Sequence, residues 1–306
     1  MTDFSAKRDN IVLIKARALS SAGRMAWFQA DFATARVHME ESVALFRQQH
    51  DRVGLLDATS TLILVRTWQG ELPAALSLLE ESMEILKHMP NRESLLPIIA
   101  ALGRAAIFMV TEESLPHAWV LGKEAERLAR ATNDKRSLAW ALNTLAFCRY
   151  YSGDYAAARP ELEEGIILFR ELGELWGVSL LTWSLGNIAR REGRYSGAWM
   201  LNQQAMTMQS RQNSQQGLPP MLDSFAYLAI AQGHAQRGAR LLAIATKLRE
   251  DYGSFQQPLV LAEREEYLHQ LRAMLDPAEL EAVWAEGRVM MQEDAITYAL
   301  ERPDEA

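Results

Sequence analysis

Apolar residues recur at steps of three and four positions along most of the chain. In the stretch VHMEESVALF, for example, this spacing is followed by Val37, Met39, Val43, Ala44 and Phe46. Such spacing is typical of amphipathic α-helices, because it brings the apolar side chains to one face. No stretch of the sequence alternates apolar and polar residues with the period of two that indicates a half-buried strand. The sequence therefore predicts an all-α protein.

Six short segments interrupt the helical spacing at nearly constant intervals, at 29–35, 69–75, 112–118, 152–158, 192–198 and 232–238. Their last residues, which are alanine or glycine, are separated by 40, 43, 40, 40 and 40 positions. Four segments contain a glycine that supplies the left-handed conformation ending a helix before a tight turn: Gly70, Gly153, Gly193 and Gly233. Ala30 and Glu113 replace this glycine in repeats one and three, where we expect less regular turns. The spacing predicts a right-handed superhelical solenoid of about six helical hairpins similar to tetratricopeptide repeats.

A second column of small or flexible residues lies 24 positions after each turn glycine. Its members are Gly54, Ser94, Ser137, Gly177 and Gly217, and they are preceded by Asp51, Asn91, Asp134, Glu174 and Ser214. We expect these residues to form the loops between repeats, because polar side chains there are suited to cap the following helix.

The repeats also predict the domain organisation. We expect a tail over 1–10, six repeats over 11–252 with turns near residues 30, 70, 113, 153, 193 and 233, capping helices over 253–301, and a tail over 302–306. In the capping region Pro258 opens a helix, and Asp276 followed by Pro277 is typical of another helix start. A repeat array needs such an atypical end, because its last repeat would otherwise expose an apolar face.

Composition and charge narrow the possible partners. The 306 residues carry a net charge of −7, which argues against unspecific binding to nucleic acid or to anionic membranes. No apolar run approaches the roughly 20 residues that a bilayer requires. A single cysteine, Cys148, excludes an internal disulfide and suits a reducing compartment. We therefore expect a cytoplasmic protein without a direct nucleic-acid or membrane partner.

Candidate catalytic chemistry is sparse. No two of the six histidines lie three or four positions apart, and no HExxH motif occurs. Adjacent glutamates such as Glu40 and Glu41 point about 100° apart on a helix, so they diverge into solvent. The sequence favours a non-enzymatic protein with no catalytic residue, metal site or cofactor.

A candidate binding surface follows from the register of the repeats. In tetratricopeptide superhelices the first helix of each hairpin lines the concave face, at positions 2, 3, 6, 10 and 13 upstream of the turn residue. Aromatic, arginine and asparagine residues gather at these inner positions, where they are suited to hold a peptide or a planar anion. The candidate residues are Trp27, Trp68, Asn143, Phe147, Tyr150, Tyr151, Trp183, Asn187, Arg190 and Arg191. The alternative is that the inner aromatic residues pack on one another, and the sequence leaves both possibilities open.

Longer phrases carry a resemblance to a known family. The segments EESVALFRQQHDRVG and EEGIILFRELGELWG, with the tail RGARLLAIATKLRE…WAEGRVMMQEDAITYALE, resemble the C-terminal tetratricopeptide-like region of large ATP-binding bacterial regulators. That group includes LuxR-type regulators related to the maltose-regulon activator, and similar predicted ATPases. The likeness covers roughly residues 12–301.

The resemblance implies a sensor or protein-interaction domain of a bacterial signalling or transcriptional regulator, which binds a peptide, a protein or a small effector and takes part in self-association. The sequence contains no GxxxxGK[ST] phosphate loop, and the resemblance does not extend to a DNA-reading helix pair. The alternative is a self-assembly scaffold, or a free-standing adaptor, with no small ligand.

Overall fold

A computed structural model of the chain describes residues 2–29, 31–210, 217–253 and 255–302, and α-helices dominate these residues. The first seven are α1 (Thr2–Phe28), α2 (Phe32–Gln48), α3 (Arg52–Trp68), α4 (Leu72–Lys87), α5 (Leu96–Met109), α6 (Ser114–Thr132) and α7 (Lys135–Ser152). They are followed by α8 (Tyr155–Glu171), α9 (Leu175–Arg191), α10 (Tyr195–Ser210), α11 (Leu218–Ala231) and α12 (Ala235–Asp251). The last three are α13 (Pro258–Met274), α14 (Pro277–Val289) and α15 (Gln292–Leu300). No strand occurs in the described ranges, and the predicted all-α repeat fold is confirmed.

The chain divides into two compact units, Met1–Cys148 and Arg149–Ala306, and helix α7 crosses the division. In the first unit α1 packs on α2, α3 on α4 and α5 on α6, and α3 also contacts α2 and α5. In the second unit α9 packs on α10 and α11 on α12, while α8 contacts α9 and α10 contacts α11. Packing between sequence neighbours is what a repeat array requires.

The small residue that ends each turn segment lies in the core. Ala35, Ala75, Ala118, Ala158 and Ala198 are completely buried. In the sixth repeat a Cβ atom on Gly238 would lie 2.4 Å from Cγ1 of Ile230. The position is therefore restricted to small residues, because the two helices of a hairpin cross closely there.

The turns follow the predicted geometry where glycine is present. Gly70, Gly153, Gly193 and Gly233 have φ between 74° and 89°, which is the left-handed region. The expectation for Ala30 falls outside the described residues.

The third turn is irregular, as predicted, although its left-handed residue is not Glu113. Val110 takes that conformation with φ of 49°, whereas Glu113 has φ of −74°. Val110 lies 40 positions after Gly70, so the three extra residues of this repeat lie in the turn itself. Thr111 and Ser114 close the turn, because the side-chain oxygen of each accepts a hydrogen bond from the backbone N–H of the other.

The second column has a different role from the one predicted. The loops between repeats turn at His50, Asn91, Asn133 and Gly173, which have positive φ, whereas Gly54 and Gly177 lie in the first turn of the next helix. A Cβ atom on Gly54 would lie 2.4 Å from the ring of Phe46, and one on Gly177 would lie 2.5 Å from the ring of Phe169. These glycines let a phenylalanine of the preceding helix pack closely.

Helix caps fall partly where they were expected. Asp51 caps α3 by accepting a hydrogen bond from the Gly54 N–H at 3.0 Å, and Asp134 accepts one from the Ser137 N–H at 3.0 Å. Glu174 precedes α9 without a capping hydrogen bond from its side chain. Ser214 lies outside the described residues.

The two ends of the chain differ in how they compare with the prediction. Helix α1 begins at Thr2, so most of the expected N-terminal tail is helical. The capping helices α13, α14 and α15 begin close to the predicted positions, and the Asp276 side chain accepts a hydrogen bond from the Glu279 N–H at 2.8 Å. Among the described helices, none is long and apolar enough to cross a membrane.

Candidate binding surfaces

The ten candidate residues divide between the two units. Trp27, Trp68, Asn143 and Phe147 belong to Met1–Cys148, and the other six belong to Arg149–Ala306: Tyr150, Tyr151, Trp183, Asn187, Arg190 and Arg191.

In the second unit, helix α13 lies on the inner positions of the repeats. The Glu263 carboxylate of α13 accepts hydrogen bonds from Tyr150 Oη at 2.9 Å and from Arg190 Nη2 at 2.6 Å. Nη2 of Arg191 lies 2.9 Å from the same carboxylate, and its Nη1 lies 3.3 Å from Glu266. The acidic face of α13 thus meets two guanidinium groups and a phenol, and we call this helix the strap.

Arg190 is the centre of this contact. Its side chain is 1% exposed, and its guanidinium carbon lies 5.2 Å from the ring centres of both Tyr227 and Tyr267. These two rings stack with their centres 4.2 Å apart, and the Tyr267 hydroxyl accepts a hydrogen bond from Arg190. The arrangement combines an ion pair with cation–π contacts, and it joins α9, α11 and the strap.

A second buried ion cluster holds the strap on α11 and α12. Asp223 accepts hydrogen bonds from Arg249 and from Arg264, and all three residues are buried. Arg264, which belongs to the strap, also donates to the Leu242 carbonyl at 3.0 Å. The strap is therefore fixed by ion pairs to α9 and α11, and by a hydrogen bond to α12.

Burial and charge set the protonation states at this surface. Burial raises the pKa of Tyr150 and of Tyr151, and the nearby Glu263 carboxylate raises both further, so the two phenols are neutral. Burial opposes the charge on Arg190, but the Tyr150 hydroxyl and the Glu263 carboxylate outweigh it and leave the pKa raised. The two guanidinium groups are therefore charged at neutral pH.

Trp183 and Asn187 are linked through α11 and do not face a ligand freely. Trp183 Nε1 donates a hydrogen bond to Ser224 Oγ at 2.8 Å, and the Ser224 hydroxyl donates to Asn187 Oδ1 at 2.9 Å. Tyr151 packs edge-on against Tyr150, with ring centres 5.2 Å apart.

The sequence left open whether the inner face is accessible or packed. In the second unit it is packed at Arg190, because the strap covers it and leaves the residue 3% exposed. Arg191 and Tyr150 remain partly exposed beside the strap. An open groove at Arg190 is therefore not what the structure contains.

In the first unit, two of the candidate residues belong to an aromatic cluster. Trp27 packs edge-on against Trp68, with ring centres 6.1 Å apart, and Phe32 lies 5.2 Å from each of them. Nε1 of Trp68 is buried without a hydrogen-bond partner among the described residues. Asn143 is buried, and Phe147 is half-buried.

Two arginines of the first unit occupy equivalent inner positions in different surroundings. Arg24 forms an ion pair of 2.7 Å with Asp57 of the next repeat. Arg104 lies over the indole of Trp140 of the next repeat, with its guanidinium carbon 4.7 Å from the ring centre. Burial and then the charge of Arg24 lower the pKa of Arg104, and neither effect is strong enough to remove a guanidinium's charge.

The strap residues and Arg104 could not be predicted from the repeat pattern, for different reasons. Glu263, Glu266 and Tyr267 lie outside the repeat, so no column assigns them an inner position. Arg104 has no inner position when the third repeat is aligned on Glu113. Aligning it on Val110, 40 positions after Gly70, places Arg104 in the same column as Arg24.

Within the described ranges, no group of three or more histidine, cysteine, aspartate or glutamate residues is arranged to hold a metal ion. Cys148 is buried, and its Sγ donates a hydrogen bond to the Leu115 carbonyl oxygen at 3.7 Å. It packs as a small apolar residue.

The described helices form a helical-repeat fold that is similar to that of tetratricopeptide-like proteins. The crystal structure of a Rap protein complexed with competence and sporulation factor matches 96% of this chain and 99% of its own, with a TM-score of 0.56 and 13% sequence identity. The crystal structure of BtubC (BKLC) from P. vanneervenii matches 81% of this chain and 94% of its own, with a TM-score of 0.50 and 14% identity. At such identities the similarity is one of fold. No protein-family model matches the sequence, and no curated protein matches it significantly.

Proposed function

We propose that this chain is a non-catalytic binding module: a sensor or protein-interaction domain of a cytoplasmic bacterial signalling or transcriptional regulator, whose inner helical faces bind a peptide, a protein or a small effector. The observation that carries the proposal is the seating of the strap in the second unit. There the inner face already binds an acidic helix through Arg190, Arg191 and Tyr150.

The strap indicates which partner chemistry suits this face. The strap presents two carboxylates and a tyrosine on one side of a helix. The inner face binds them with two guanidinium groups and a phenol. A partner segment with the same arrangement would compete with the strap for these groups. A smaller acidic effector would use Arg191 and Tyr150, which are partly exposed.

The fold comparison supports the same class of function. The Rap protein of similar fold was solved with a bound factor, which is consistent with a binding role for a repeat array of this length. In this proposal Tyr151, Trp183 and Asn187 support the binding face of the second unit, and Trp27, Trp68, Asn143 and Phe147 belong to that of the first. The regulator context rests on the sequence resemblance alone.

An exchange experiment tests the proposal. A fluorescein-labelled peptide of residues 258–274 is titrated into the full chain carrying E263Q, R264Q and E266Q, which removes the strap's own ion pairs. We expect the peptide to bind this variant with Kd below about 10 μM, because the vacated arginines regain their carboxylates. We expect binding to the unaltered chain to be at least about tenfold weaker, because its strap competes.

Two controls make the result specific. A peptide with glutamine at both positions 263 and 266 should lose binding to the triple variant, and so should the wild-type peptide when R191Q is added to that variant. Hydrogen exchange of 258–274 in the triple variant reports whether the strap has been released. A strap that stays protected, or a released strap with no peptide binding, would contradict the proposal.

Self-association is the second candidate, because a second copy of the chain also carries the strap. Exchange of α13 between two copies would satisfy Arg190 and Arg191 as well as the intramolecular contact does. Light scattering of the triple variant mixed with wild-type chain distinguishes the two: a mass of two chains supports exchange, and a single-chain mass excludes it.

A further inference from the structure

The inner columns of the first unit repeat one diagonal contact. The sixth residue before a turn meets the thirteenth residue before the next turn: Arg24 meets Asp57, and Arg104 meets Trp140. In both pairs the first position is an arginine. Its partner is an aspartate in the first pair and a tryptophan in the second. Both contacts lie within Met1–Cys148.

In the first pair, the charge of Arg24 is neutralised by Asp57. Arg24 Nη2 lies 2.7 Å from Asp57 Oδ2, and Arg24 also donates to Ser20 at 3.4 Å. The guanidinium therefore has an acceptor on its edge and a carboxylate that neutralises its charge.

The second pair lacks the anion. Trp140 covers the plane of the Arg104 guanidinium, but an indole has only an N–H donor and offers no acceptor to the guanidinium edge. In the described residues Arg104 forms neither an ion pair nor a hydrogen bond. Burial and then the positive charge of Arg24 lower the pKa of Arg104. A partly buried cation in this state is stabilised by an external anion.

We infer that Arg104, on the indole platform of Trp140, is a binding site for a carboxylate group of a ligand on the inner face of the first unit. The ligand supplies at Arg104 what Asp57 supplies at Arg24: two oxygens in the guanidinium plane. Trp140 favours a carboxylate joined to an apolar or aromatic body, because the indole is an apolar surface beside the charge. A free small carboxylate and the carboxylate of a peptide share this chemistry. The inference deepens the proposed function and rests on it for the role of the inner face.

The test uses the full chain and NMR of the arginine Nε–H groups, with Arg104 assigned through R104Q. Benzoate is titrated, with benzamide as the neutral match. We expect a saturable shift of the Arg104 resonance with Kd below about 5 mM, and binding of benzamide at least about tenfold weaker because it lacks the charge.

A second experiment distinguishes a small ligand from a peptide. It compares an acetylated tetrapeptide that ends in phenylalanine as the free acid with the same peptide as the amide. Tighter binding of the free acid than of benzoate identifies a peptide carboxylate, and equal binding identifies a small carboxylate.

Three variants exploit the difference between the Arg24–Asp57 pair and the Arg104–Trp140 pair. W140D gives Arg104 the counter-ion that Arg24 has, and should weaken benzoate at least about tenfold. W140F keeps an aromatic platform and should stay within about threefold of the unaltered chain. D57N removes the counter-ion of Arg24 and should produce a second saturable shift at the Arg24 resonance, which keeps the test valid if W140D does not fold.

The inference is overturned if benzoate causes no saturable shift at Arg104, or if binding persists unchanged in both R104Q and W140D. This outcome is separable from failure of the proposed function, because the peptide-exchange experiment involves only the strap and the second unit.

Discussion

Replacing Arg190 by methionine should loosen the strap. Methionine keeps an unbranched apolar side chain beside the tyrosine rings, and removes the charge that pairs with Glu263. After the change Glu263 keeps Arg191 and Tyr150 as partners, but its main buried cation is gone.

The cost follows from the burial of the pair. The Arg190 side chain is 1% exposed and that of Glu263 is 12% exposed, so the glutamate cannot regain full hydration in the folded state. Removing one member of such a pair costs about 3–5 kcal/mol. The double change R190M/E263Q leaves no uncompensated buried carboxylate, so it should be about 1–3 kcal/mol more stable than the sum of the single changes.

Urea unfolding followed by circular dichroism measures the total effect. Because repeat arrays do not always unfold in one step, hydrogen exchange of α13 provides the local measurement. A loss of about 3–5 kcal/mol corresponds to exchange faster by a factor of about 150 to 4,000. Arg47→Met is the matched control, because Arg47 pairs with Glu81 at 2.8 Å with both side chains about half exposed, and its cost should be below about 1 kcal/mol.

The reasoning is refuted if R190M costs no more than R47M and leaves exchange of α13 unchanged. It is also refuted if the double variant is only as stable as additivity predicts, since the ion pair would then contribute no coupling.

Other expected outcomes concern stability and pH. Gly177→Ala should cost about 1–3 kcal/mol in urea unfolding, because the new Cβ would lie 2.5 Å from the Phe169 ring. Gly193→Ala should cost about 1–2 kcal/mol, and the cause would be backbone strain, because φ is 74° and nothing lies near the new Cβ. Asp51→Ala should lower stability by about 1 kcal/mol through loss of the α3 cap, with Asp51→Asn retaining most of it. Burial raises the pKa of Tyr150 and Tyr227 above the ordinary value of 10.0. Their contribution to stability is therefore complete below pH 10, and it declines as the pH rises above 10 because the unfolded chain then loses these protons first. The urea midpoint should be lower at pH 11 than at pH 9.

The fold could be predicted because its determinants are local and repeated. The turn glycines and the buried alanines recur at fixed intervals, and each needs only its own hairpin to explain it. The second column shows the limit of this reasoning. A glycine such as Gly54 is equally consistent with a flexible loop and with close packing, and only the position of the Phe46 ring distinguishes them.

The binding face could be predicted in part. Its inner residues follow from the register, but what covers them does not, because Glu263 and Arg190 are 73 positions apart and the strap belongs to no repeat. Asn143 was predicted at an inner position, with its accessibility left open, and it is buried. The inner position of Arg104 follows only from the left-handed conformation of Val110, which identifies the true turn residue of the third repeat.

The irregular third turn has a practical consequence for labelling. The extra residues lie between Val110 and Ser114, where Glu112 and Glu113 are exposed, and they leave α5 in register with the helices before it. Chain length can thus grow at this point without moving the column that contains Arg104. A reporter sequence or an affinity tag inserted between Glu112 and Glu113 should therefore leave the protein folded and its inner surfaces unchanged, giving a handle for following partners in solution.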